Sequence, residues 1–333
     1  MPRNVKLDVY TLQIHQRGKP DEIFGFDEFF EEVKADGSRA TRSFKNFFMS
    51  YLASFGNSFG SVGQSSRALH IASGATKIKM EQRVIYGTVE GGPTGYAFDL
   101  KNRGNVAART PVTPDDVSSH KFYYLLWLPE DMSMGFLLLH GYSDTSISDL
   151  FRSHLAQFVR NTVPDKILVS KRYIDPDEVE AFRSHATIDR VILRRTKLSA
   201  DNAEHLTKIN TIESGQLSID LEVYGIQSVS VLRDRILALV QGQQGEIFEL
   251  DDLAGYGLDG DHDTIVEYEL GGKKYKAYKS KGWDFFPTKY LTDVAIDANG
   301  HVAEAQMLSY LLRHLELIKR KIGYTAVTRG ANV

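Results

Sequence analysis

Cysteine is absent from all 333 residues, which excludes disulfides, zinc knuckles and cysteine nucleophiles together. Lack of a disulfide framework is compatible with a reducing compartment. Long apolar runs are missing too. The densest, Phe122–Leu128 and Phe136–Leu139, are split by Pro129-Glu130-Asp131, and neither approaches the roughly 20 apolar residues that cross a bilayer. The opening residues, Met1 to Asp8, form no apolar signal region. The expectation is a soluble, cytoplasmic protein with no direct membrane insertion. An excess of positive charge is also lacking: 40 Lys and Arg face 43 Asp and Glu, a formal net charge of −3. A wholly basic nucleic-acid binder is thereby excluded, and any polyanion contact must come from local patches. No internal repeat is present; Phe-Arg-Ser-His recurs at Phe151–His154 and Phe182–His185, with unrelated flanks.

What is there reads as a folded protein, 42% hydrophobic and 25% charged. The length favours two lobes. Alternation predicts a strand over Val5–His15 and helical spacing predicts helices over Phe26–Lys34 and Phe44–Phe55, before the Gly/Ser-rich loop Gly56–Ser66. Arg83–Val89 and Tyr96–Leu100 read as a hairpin around the glycines between them. Lys121–Leu128 and Gly135–His140 read as a buried strand pair, followed by a helix within Asp144–Val159. After Pro164, strands at Lys166–Tyr173, Arg190–Arg195, Gln216–Val223, Glu246–Leu250, Thr264–Leu270 and Lys274–Lys279 alternate with helices near Asp177–Phe182 and Ser230–Val240. Val302–Lys321 is a long amphipathic helix. The fold class expected is α+β in two lobes, with mixed or antiparallel sheets, flanking helices and a long C-terminal helix. Residues 1–163 with 298–333 make one domain, closed by that helix; residues 164–297 make a second.

Several motifs match by letter and fail on context. Gly255-Tyr256-Gly257-Leu258-Asp259-Gly260 has the dinucleotide fingerprint, but a strand follows it instead of a helix, and Asp259, Asp261 and Asp263 would repel phosphate. Gly56-Asn57-Ser58-Phe59-Gly60 has the nucleophile-elbow pattern, but follows a helix instead of a strand. Asp259, Asp261 and Asp263 could gather a hard cation such as Mg²⁺, although Thr264 and Leu270 stand where a calcium loop wants Gly and Glu. A solvated acidic hairpin tip is the plainer account. A metal-dependent nuclease could use such acids, but the only Glu-x-Lys, Glu32-Val33-Lys34, falls on an expected helix. His140 ends an apolar strand, where a core histidine and a base in a pocket are the two readings. His301 and His314 have no metal-ligand spacing.

Charge segregation is the strongest signal. Glu246 to Glu269 carries nine Asp or Glu and no Lys or Arg, whereas Lys273 to Lys289 carries six Lys and one acid, Asp284. Lys273, Lys274, Lys276, Lys279 and Lys281 interleave with Tyr275, Tyr278 and Trp283. Phosphate contact by the lysines with stacking by Tyr278 or Trp283 is the chemistry that pattern suits. Strand parity puts Lys274, Lys276 and Tyr278 on one face and Lys273, Tyr275 and Lys279 on the other, so these side chains cannot all line one groove. Two further basic regions join the candidates: the acid-free stretch Gly37–Met80 with Arg39, Arg42, Lys45, Arg67, Lys77 and Lys79, and Arg190, Arg194, Arg195 and Lys197 in the middle lobe.

Lys279-Ser280-Lys281-Gly282, Thr288–Asp297 and the Val302–Gly323 helix ending Lys319-Arg320-Lys321-Ile322-Gly323 resemble the closing strand, Lys-Gly turn and terminal helix of the RexA-like phage-exclusion proteins of lambdoid prophages. Phe122 to Val159 echoes the same family in the order strand, turn, Gly135-Phe136, helix. The resemblance covers about a third of the chain. It implies a dimeric, two-lobed protein with a globular part and a swivel-like part (residues 164–297) that binds DNA without sequence specificity and signals phage infection to a separate effector, as in abortive-infection antiviral defence. The expected function is therefore sensing or regulation rather than catalysis, with no cofactor. A metal-dependent nuclease acting on DNA or RNA with Mg²⁺, and a non-enzymatic oligomeric scaffold, are the alternatives.

Overall fold

The computed structural model describes residues 4–33, 39–41, 44–63, 65–196, 218–225, 230–240, 243, 247–248, 262–281, 289–291, 294–297 and 300–325. It is α+β, with antiparallel sheets and a C-terminal helix. The chain divides into two compact units, Met1–Tyr173 with Thr288–Val333, and Ile174–Pro287.

In the first unit a curled sheet runs in the order β12 (Lys166–Arg172), β1 (Val5–Gln16), β11 (Gly135–Tyr142), β10 (His120–Trp127), β7 (Val84–Pro93), β5 (Arg67–His70). β17 (Lys289–Leu291) and β2 (Lys19–Phe24) also pair with β1, and β6 (Thr76–Lys79) pairs with β7. Every described pairing is antiparallel. Successive residues of β10 point to opposite faces, and each face has its own cover. Tyr124 meets Phe151 of α3 (Ser148–Thr162), beside which Tyr51 of α2 (Phe44–Ala53) packs. Tyr123, on the other face, donates its hydroxyl to the Val302 carbonyl at 2.8 Å, just before α6 (Glu304–Lys321). α6 turns Met307, Leu311, Leu315 and Ile318 inward, the i, i+4 stripe its sequence shows.

Three readings of this unit change. The helix begun at Phe26 stops after Phe30 (α1, Phe26–Phe30), and β3 (Glu31–Val33) pairs with β4 (Arg39–Thr41); Lys34 lies outside the described residues. The expected hairpin of Arg83–Val89 with Tyr96–Leu100 does not form. β7 continues through the glycines to Pro93, and β8 (Phe98–Asn102) pairs instead with β9 (Asn105–Val112). The glycines belong to a strand because its neighbours come too close for a side chain: a Cβ on Gly92 would lie 1.9 Å from the Ser118 carbonyl oxygen and one on Gly87 2.2 Å from that of Ala75. Finally, β12 joins the first sheet through β1, so the chain leaves this unit after Tyr173 rather than at Pro164.

The second unit is α4 (Pro176–His185), β13 (Thr187–Thr196), β14 (Ser218–Tyr224), α5 (Ser230–Val240), β15 (Asp263–Leu270) and β16 (Lys273–Tyr278), with its sheet in the order β14-β13-β15-β16. Asp175 caps α4 by accepting from the Asp177 N–H at 3.0 Å, and Pro176 opens the first turn. Phe182, Val191, Leu193, Leu232, Ile236, Val266, Tyr268 and Ala277 form its core. That leaves the opposite sheet face without a helix among the described residues. No described helix is long and apolar enough to cross a membrane.

Candidate nucleic-acid interface

The face of the second sheet turned away from its core collects several of the expected bases. Register sets Arg190 opposite Glu267 and Glu267 opposite Lys276, then Arg194 opposite both Asp220 and Asp263. Each base meets an acid. Arg190 lies 2.7 Å from Glu222 and 2.8 Å from Glu267, Arg194 2.6 Å from Asp220, Lys276 2.6 Å from Glu267 and Lys274 3.3 Å from Asp189. A β-bulge between Ile188 and Arg190 makes room for Asp189 in this array. The Arg190 hydrogen bond, reinforced by Lys276, holds the Glu267 carboxyl below its usual range, and Arg194 does the same to Asp220. Such carboxylates stay ionised and keep occupying the bases. Beneath the charged side chains Ile192 and Ile265 are buried at 5% and 3% exposure. The face is a charge-compensated lid over its own sheet, not a positive trough.

The other expected residues scatter. Lys273 is exposed at the start of β16, with the opposite parity to Lys274 and Lys276. Tyr278 ends that strand, half-buried, and Lys279 and Lys281 belong to the 3-10 turn after it. Arg195 faces away from Arg194 on β13. Arg39 falls on β4 and Lys45 is exposed on α2, whereas Arg42, Lys197 and Trp283 lie outside the described residues.

Asp259 and Asp261 lie outside the described residues, as does the whole of residues 255–260. Asp263 accepts from the Ser280 N–H at 2.8 Å and hydroxyl at 2.6 Å, which spends both oxygens on fixing that turn. Glu32 sits on β3 rather than a helix, but among the described residues no group of three or more His, Asp or Glu is arranged to hold a metal ion. Ser58 donates its hydroxyl to the Phe55 carbonyl at 3.0 Å, in the turns that close α2, and the nucleophile-elbow geometry is absent there. His140 is wholly buried among Phe122, Tyr123 and Tyr142, and burial pulls its pKa down to about 3. It is therefore a core histidine. The buried Asp8, which sequence reading passed over, accepts from Ser148 at 2.8 Å and lies 3.4 Å from Lys6, tying β1 to the start of α3.

A second basic arrangement comes together on the first unit. Along one row of its sheet Lys79 faces Val84 and Val84 faces Trp127. The Lys319 ammonium lies 5.1 Å from the Trp127 ring. Strands are spaced about 4.8 Å apart, so this row brings the β6 lysines and the last turn of α6 to one side of the sheet. Lys77 and Lys79 alternate onto that side and are exposed, as is Arg320. Lys319 pairs with Glu316 at 2.8 Å. Lys77, Lys79 and Arg320 have no carboxylate partner among the described residues. Trp127, beneath Lys319, is 1% exposed and Tyr86, beneath Lys79, is 8% exposed, so neither buried ring offers a face for a stacked base.

No protein-family model matches the sequence, and no curated protein matches it either.

Proposed function

We propose that this protein binds DNA through the phosphate backbone, without reading sequence, and acts as a non-catalytic sensor or regulator in antiviral defence with a separate effector. The backbone contact is assigned to Lys77, Lys79 and Arg320 of the first unit, not to the lysine-rich strand. One observation carries this: Arg190, Arg194, Lys274 and Lys276 of the second sheet are already paired with carboxylates, whereas Lys77, Lys79 and Arg320 are exposed without one among the described residues. A phosphate replacing Glu267 or Asp220 would have to displace a formed ion pair, while one meeting Lys77 releases only counterions. The burial of Trp127 and Tyr86 favours backbone contact over base contact. The sensor role rests on the sequence resemblance to the phage-exclusion proteins.

The test is a salt-titrated mobility shift with duplexes of unrelated sequence. Lys77→Glu, Lys79→Glu and Arg320→Glu combined should weaken binding to all duplexes alike and lower the log–log salt slope by about 0.9 for each phosphate no longer neutralised. Lys274→Glu with Lys276→Glu should leave the slope unchanged. Loss of binding only in the second variant, or in one sequence only, overturns this assignment. Parallel lanes with Mg²⁺ or EDTA report on catalysis, since metal-dependent cleavage would favour the nuclease.

A further inference from the structure

The ribbon formed by β8 and β9 is hydrogen-bonded to no other described strand. Two strands alone are marginal in water and need a third strand or a packed face. The base of this ribbon is nonetheless fixed. Thr94 donates its N–H to the Ser66 carbonyl at 2.8 Å, and Gly95 its N–H to the Pro114 carbonyl at 3.0 Å. Register puts Phe98 opposite Val112 and Leu100 opposite Thr110 on one face. Tyr96, Phe98 and Leu100 are 57%, 47% and 55% exposed. On the other face Lys101 stands directly opposite Arg109, a like-charge pair that destabilises a ladder. Asp99, the single acid between Tyr96 and Val112, already pairs with Arg109 at 2.6 Å. The two outer edges differ. β9 carries Pro111, which has no N–H to give another strand, whereas β8 has no proline.

We propose that β8 pairs edge to edge, antiparallel, with β8 of a second copy of this chain, about a two-fold axis at Leu100. In that register Leu100 meets its own counterpart, and Asp99 of each copy faces Lys101 of the other. The acid that Lys101 lacks at home arrives from the second copy. Moving the axis one residue along the strand sets Asp99 against Asp99, or Lys101 against Lys101, so charge selects this pairing. Pairing closes the open edge of both ribbons and makes one four-stranded sheet with a continuous apolar face. A two-fold contact requires such self-complementarity.

The natural chain has no thiol, so Leu100→Cys introduces a single one at the axis. Directly opposed residues of antiparallel strands have Cα atoms about 4.5–5.5 Å apart, within the range of about 4.4–6.8 Å that a disulfide spans. Mild oxidation should convert Leu100→Cys to a covalent dimer, while Tyr224→Cys, exposed on the second unit, and Ala107→Cys, on β9, stay monomeric. In sedimentation velocity Asp99→Lys and Lys101→Asp should each weaken association by about tenfold. The double swap, which restores both cross-copy pairs and sets Asp opposite Arg109, should return it to within about threefold of the natural chain. A monomeric natural chain, equal cross-linking of Ala107→Cys, or a double swap as weak as the singles overturns the proposal. None of these residues belongs to the Lys77–Arg320 rim, so the mobility shift and the sedimentation result fail independently.

Discussion

His140 and Arg83 show how single positions are set by what surrounds them. The two ring nitrogens of His140 are buried without a hydrogen-bond partner among the described residues, and the folded protein holds the ring neutral down to about pH 3. An unfolded chain takes up that proton near pH 6.5. Because the folded pKa is the depressed one, the associated stability is complete above about 6.5 and drains away as pH falls toward the folded value. Each pH unit between those two values corresponds to about 1.4 kcal/mol, so the loss is on the order of a few kcal/mol. His140→Leu should therefore flatten the dependence of the urea midpoint on pH between about 6.5 and 4. A midpoint that falls as steeply as in the natural chain would show that other groups govern the acid response. Arg83 is the one described non-glycine residue with a positive φ, 53°. Its guanidinium lies over the rings of Phe30 and Phe44 at 5.2 and 5.1 Å, contacts that hold the left-handed turn against its backbone cost.

At the level of strands and helices, β7 governs how the first sheet is assembled. One of its edges is taken by β10, and the other is shared end to end by β6 and β5. The chain crosses between those two beside Gly87, so Gly87→Ala should force the Ala75 carbonyl aside and destabilise the fold by about 1–3 kcal/mol. Chemical denaturation checks this, and an unchanged midpoint would mean that the crossing relaxes freely. Such crossings explain what could be read in advance and what could not. The β10–β11 pair was legible because both strands are unbroken apolar runs, and α6 because its stripe repeats every three to four residues. The glycines of β7 read as a turn, since glycine marks both a reversal and a close approach, and only the neighbouring carbonyls tell them apart. Of the site, the basic composition of β16 and of the acid-free stretch was legible. The pairing of Arg190 with Glu267 was not, because it joins strands separated by 77 positions, and local charge runs carry no register.

On the scale of the whole chain, β1 organises the first unit. On the side of β1 away from β11, β12 ends with Tyr173 donating its N–H to Val9, and β17 begins with Lys289 opposite Leu7. The excursion that forms the second unit thus leaves and returns within two residues along one strand, about 7 Å. Replacing Ile174–Pro287 by a short Gly/Ser linker should yield a first unit that unfolds in one cooperative step, with near-ultraviolet circular dichroism retained. A product without fixed aromatic signals would show that the unit depends on its insertion. The same threading bears on synthesis. The ribosome releases Val5–Gln16 first, yet Val5–Leu7 must wait for Lys289–Leu291 before that stretch of edge is filled, and Tyr123 waits for Val302. Residues 174–287 are contiguous and can collapse as soon as they emerge. The part encoded in the middle can therefore mature before the part encoded at the start, which leaves the apolar underside of the nascent sheet for chaperones to shield until translation ends.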